Sequence, residues 1–88
     1  MGSRTISVPE ISWETPVYEQ AKAWLDENGI DPNRVPLESE IVISDYTITY
    51  ERVLVAANGA AVLDHNGERA QRETVTIPKH SSPETFGL

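Results

Sequence analysis

The hydrophobic period of this chain changes once, at Leu37, and that change limits what it can fold into. Upstream, Val17, Ala21, Trp24, Leu25 and Asn28 fall on one stripe at helical spacing, while Glu19, Lys22, Ala23 and Asp26 occupy the other side. Downstream the period becomes two, and β-branched and aromatic residues dominate. The pattern predicts an α+β fold, with one N-terminal amphipathic helix packed on a three- to four-stranded antiparallel β meander.

Local punctuation sets the expected boundaries. Thr15-Pro16 starts a helix over about 16–28, because a Thr side chain can accept from an orphan amide and Pro at the first position loses no hydrogen bond. Asn28-Gly29-Ile30 ends it as a left-handed Gly cap, with Ile30 folding back on the last turn. Asp31-Pro32-Asn33-Arg34-Val35-Pro36 reads as one short turn that redirects the chain and buries Val35 and Leu37 as plugs. Strands are expected near 38–44, 46–57, 60–64 and 70–77, with Ser44-Asp45 turning the first into the second. Tyr46, Ile48 and Tyr50 share one phase and Val53 and Val55 the other, so a β-bulge is expected between Glu51 and Arg52. Asn58-Gly59 and Asn66-Gly67 are hairpin dipeptides. Pro78 stops the last strand.

These boundaries give an extended arm over 1–14, suited to an edge strand, a single domain over 15–78, and a mobile tail over 79–88. Trp13 is expected to tuck against the sheet or the first helical turn. Met1-Gly2-Ser3 fits a cloning remnant as readily as native sequence and is set aside.

At 88 residues, with 39% hydrophobic and 24% charged, the chain has room for one domain. It has no cysteine, hence no disulfide, thiolate metal site or cysteine nucleophile. The longest apolar run, 53–57, is far short of the roughly 20 residues of a spanning helix, so no membrane association is expected and the location is read as cytoplasmic. The net charge of −7 argues against a phosphate-backbone ligand, and no nucleic acid partner is expected. Between Glu14 and Glu51, nine carboxylates face only Lys22 and Arg34, which accounts for the whole net charge.

No enzyme signature stands out. His65 and His80, in a turn and in the tail, read as solvent-exposed and not as metal ligands. Asp64-His65-Asn66-Gly67-Glu68 lacks the spacing of a calcium loop. No serine sits in a strand-to-helix elbow, and no Gly-rich phosphate loop is present. Asp26-Glu27, or Glu38 with Glu40, read as solvated surface and not as acid–base pairs. The expectation is therefore a non-enzyme with no catalytic residues, no cofactor and no metal.

The run Trp24-Leu25, Asn28-Gly29-Ile30-Asp31-Pro32-Asn33 and Val35-Pro36-Leu37, followed by a β meander, resembles small uncharacterised proteins of actinobacteria and their phages. It covers about the middle third of the chain. The resemblance implies a phage or mobile-element origin and brings no activity or catalytic residues.

What remains is surface. Asp26 and Glu27 lie at the negative end of the helix dipole, where each costs a few tenths of a kcal/mol, so local stability does not account for them. Asp31, Glu38 and Glu40 continue the acidic run, and Trp13, Tyr18 and Glu19 lie close to it in sequence. Trp13, Tyr18, Glu19, Asp26, Glu27, Asp31, Glu38 and Glu40 are thus the candidate interaction surface of a small acidic accessory protein, as a monomer or homodimer, binding a protein partner or itself. The alternative is an acidic DNA-mimic inhibitor of a basic host protein; an enzyme assembled across a dimer is a third reading.

Overall fold

The computed structural model describes residues 3–63, 67 and 70–88. Among these residues one α-helix covers one face of a four-stranded antiparallel sheet. The helix is not the first element. Strand β1, Arg4–Ser7, precedes it and pairs with β2, Glu40–Ile43, with Ile6 opposite Ile41. A 3-10 turn, Val8–Ile11, then leads toward helix α1, Tyr18–Glu27. Strands β3, Thr47–Val53, and β4, Arg72–Pro78, complete a sheet of order β1-β2-β3-β4. The arm expected over 1–14 therefore supplies both an edge strand and core side chains, since Ile6, Val8 and Ile11 are buried.

Helix α1 begins two residues later than Thr15-Pro16 predicts. Its N-cap is Val17, without a side-chain cap, because the Thr15 hydroxyl instead donates to the Ser12 carbonyl at 2.8 Å. Ala21, Trp24 and Leu25 are buried, and Asn28 follows on the same phase. The C-terminus is a Schellman cap: Gly29 has φ +77°, its N–H donates to the Asp26 carbonyl at 3.0 Å, and that of Ile30 donates to Leu25 at 2.8 Å. Ile30 is carried into the core.

In β2 and β3 alternation aims Ile41, Ile43, Ile48 and Tyr50 at the helix. The expected bulge is absent. Register is continuous from Thr47 opposite Pro78 to Val53 opposite Arg72. The inward phase survives because the core simply ends after Tyr50: the next position on that phase is Arg52, which pairs with the directly opposite Glu73. The Glu73 carboxylate accepts from the guanidinium and raises the Arg52 pKa.

Among the described residues between β3 and β4 there is no further strand. Over the expected strand 60–64, Ala61 and Leu63 make isolated bridges to Val55 and Ala70, and Asp64 lies outside the described residues. At Asn58-Gly59 only Gly59 has positive φ, +85°, so the turn is not the two-residue type I′ that the dipeptide suggests. Ala56 N–H bonds Ala60 O at 2.8 Å, which gives a wider loop. The Asn66-Gly67 turn rests on Asn66, outside the described residues, as does the expected place of His65.

Residues 79–88 differ most from the expected tail. They run along α1, with a 3-10 turn at Pro83–Phe86, Pro83 fully buried, and Phe86 and Leu88 packed against the core. Asn28 holds them. Its carbonyl oxygen accepts from the backbone N–H of His80 at 2.8 Å and of Ser81 at 3.1 Å, and its amide donates to Trp24 O and Ser81 Oγ. Trp24 Nε1 donates to the Ser81 carbonyl at 3.0 Å. Polar groups buried beside α1 are thus satisfied by this segment. Arg4 of β1 donates to Glu84, tying the two ends of the described chain together.

Candidate interaction groove

On the flank of α1 away from Ser81, a groove of about 220 Å³ is left open. Its floor is apolar and buried: Val8, Ile11, Leu25 and Ile41. Its rim includes two large exposed apolar side chains, Trp13 at 70% and Leu37 at 52% relative exposure. Tyr18, Pro32 and Val35 complete the apolar lining.

Local sequence explains how these groups are presented. The Ser12 carbonyl accepts from both the N–H and the hydroxyl of Thr15, making a tight turn on which Trp13 stands. Pro16 and the late helix start keep that turn outside α1, so Trp13 has no helical neighbour to cover it. On the other wall the Asp31 side chain accepts from Asn33 N–H at 3.0 Å and caps a 3-10 turn, Pro32–Arg34. Arg34 donates from Nε and Nη2 to the Val53 carbonyl at 3.2 and 2.9 Å, fixing this turn to the end of β3. Leu37, expected as a plug, is left on the rim, while Val35 packs against the core.

The candidate residues do not form one patch. Trp13 and Tyr18 meet in the groove. Lys22, one turn after Tyr18, sits 5.4 Å from the Tyr18 ring centroid, a cation–π contact. Asp31 and Glu38 are exposed and next in sequence to Pro32 and Leu37, but neither lines the groove. Glu19, Asp26 and Glu27 are exposed on α1 and line no part of the groove, Glu19 and Asp26 sharing one helical phase. Glu40 belongs to the opposite face of the sheet, because it alternates with the inward Ile41. There it lines a wider hollow of about 500 Å³ with Glu38, Glu51 and Val42. That hollow is the larger, but it has no buried apolar floor to reward a ligand, and the smaller groove has one.

Sequence reasoning missed Leu37 and the part of Leu25 that faces the groove. Both were assigned to the core because an apolar residue beside a Pro corner, or on a helical stripe, gives no signal of whether a neighbour covers it. Ion pairing among the described residues lies away from the groove, at Arg4–Glu84, Arg52–Glu73 and Arg72–Glu51. Glu14, Asp26, Asp31 and Glu38 take part in none of these pairs, so their charge faces solvent. His80 is exposed and joins the fold through its backbone N–H. Among the described residues no group of three or more His, Asp or Glu converges as metal ligands would, and no helix is long and apolar enough to cross a membrane.

Nothing lining the groove sets a nucleophile beside a base; what it offers is apolar area. Compared with protein-family models, curated proteins and solved structures, the chain matches none, so the function has to be argued from the groove itself.

Proposed function

We propose that this chain is a small, acidic, non-catalytic interaction module that binds another protein through the groove of Trp13, Tyr18 and Leu37. One observation carries the reading: two large apolar side chains stand exposed on the rim of a groove whose floor is already buried and apolar. Such contiguous apolar surface is unfavourable in water unless something covers it, and Trp and Tyr are the residues most enriched where binding energy concentrates. An accessory role in a phage or mobile element belongs to the same proposal and rests on the resemblance carried by 24–37. A decoy for a DNA-binding surface has less support, because its carboxylates need a common face and Glu40 and Glu51 lie on the side of the sheet away from Asp26.

The test compares the immobilised wild-type chain with a Trp13→Ser, Leu37→Ser double variant in a lysate of the source cell. Proteins retained by the wild type should be lost by the double variant while its melting temperature is unchanged. An identical retained set, or a variant that no longer folds, would contradict the reading.

A further inference from the structure

We infer that Asn58 is a site of spontaneous covalent modification, losing its side-chain amide as ammonia to attack by the Gly59 main-chain nitrogen, while the fold holds the same dipeptide at Asn28-Gly29 unreactive.

The chemistry belongs to the dipeptide. Glycine after asparagine carries no side chain to obstruct its own nitrogen, so that nitrogen can close a ring on the asparagine Cγ. At Asn58 the bond between Gly59 N and Cγ forms, the bond between Cγ and Nδ2 breaks, and ammonia leaves with the proton given up by the Gly59 nitrogen. Water then opens the cyclic imide at either of its carbonyls, leaving aspartate or isoaspartate at position 58.

The surroundings of Asn58 favour that ring. Asn58 and Gly59 lie in the loop that follows β3, within a run exposed from Val55 to Ala61. Asn58 Oδ1 accepts from the Ala60 N–H at 3.0 Å. That bond folds the side chain back over the peptide to Gly59, and it puts a donor on the oxygen that becomes negative as the nitrogen adds. The Gly59 N–H is bonded to the Ala56 carbonyl at 2.9 Å, but a single bond in an exposed loop opens at little cost.

At Asn28 every term runs the other way. This side chain is only 3% exposed. Its Oδ1 accepts from the His80 and Ser81 N–H groups, and its amide donates to the Trp24 carbonyl and Ser81 Oγ. Turning Cγ toward the Gly29 nitrogen breaks all four bonds and leaves buried groups unsatisfied. Reaction there has to wait until 79–88 lifts from α1.

The experiment incubates the full chain in mildly alkaline buffer at body temperature, with and without denaturant, and follows the amide-to-acid mass change by fragment-ion mapping, which assigns it residue by residue. In the folded chain Asn58 should convert at least roughly tenfold faster than Asn28, because only Asn28 depends on local opening. In denaturant the two rates should come together. Asn58→Gln, which would need a larger ring, should abolish conversion at 58 and leave the melting temperature unchanged. Equal rates at Asn28 and Asn58 in the folded chain would overturn the inference. So would an Asn58 that stays intact in the folded chain over the time in which it converts in denaturant, since the Ala56 bond would then protect it. An Asn28 that stays intact in denaturant would overturn the protective role of the fold.

Discussion

The two flanks of α1 are finished differently. On one, residues 79–88 lie along the helix, and the buried polar atoms of Trp24 and Asn28 are all bonded to that segment or to the helix itself. On the other, Tyr18 and Leu25 border a groove that the described chain does not cover, and Trp13 stands mostly in solvent. The covered flank is where α1 is held by packing and satisfied hydrogen bonds; the open flank presents the same kind of apolar surface without a lid. Apolar residues therefore serve two ends on one short helix, and exposure separates them.

Breaking the covered flank should have the largest effect. Trp24→Ala removes a fully buried ring and its bond to Ser81, and should cost about 3–5 kcal/mol, a large share of the stability of a small domain, read by chemical denaturation. Asn28→Ala leaves the His80 and Ser81 amides without their acceptor and should cost about 2–4 kcal/mol, with faster hydrogen exchange at those two amides. Stability lost without a change in that exchange would mean that Asn28 acts through the helix alone.

A weaker hold on the same segment is sensitive to pH. Hydrogen bonding from Arg4 keeps the Glu84 carboxyl below its ordinary value. Its contribution is therefore present above the ordinary carboxylate pKa and is lost as pH falls through the lowered folded value. The melting temperature of wild type should exceed that of Glu84→Gln by a small margin at neutral pH, and the margin should close on acidification. The pair is largely exposed, so this effect is slight.

The smallest effect on stability belongs to the open flank. Trp13→Ser with Leu37→Ser should change stability by no more than about 0.5 kcal/mol, because neither side chain is buried. A loss comparable to that of Asn28→Ala would remove the distinction between the flanks.

How much of this was legible in the sequence follows the same division. Helical spacing put Ala21, Trp24, Leu25 and Asn28 on one stripe, and all four are buried. The Gly29 cap and the Asp31 turn were legible because each depends on side-chain chemistry a few residues away. Asn28 was readable as a position and not as a role, since its partners are backbone groups 52 and 53 residues distant. For the same reason 79–88 looks detached in the sequence: the hydrogen bonds that seat Pro83, Phe86 and Leu88 on the core run largely through main-chain groups of His80 and Ser81, which composition does not reveal. The bulge is expected from Val53 and Val55 as though the core continued to them, whereas Arg52 and Glu73 close it at the next pair on the phase of Tyr50. The acidic run was legible as charge, but strand alternation sends Glu40 to the far face.

The most direct test of the contrast between the flanks is a single NMR titration of the full chain with a soluble paramagnetic agent, following the two tryptophan indole N–H signals together. Trp13 reports the open flank and Trp24, bonded to Ser81, the covered one. The Trp13 signal should broaden strongly while that of Trp24 stays sharp; equal broadening of both, or loss of the Trp24 signal with that of Trp13 preserved, would contradict the account.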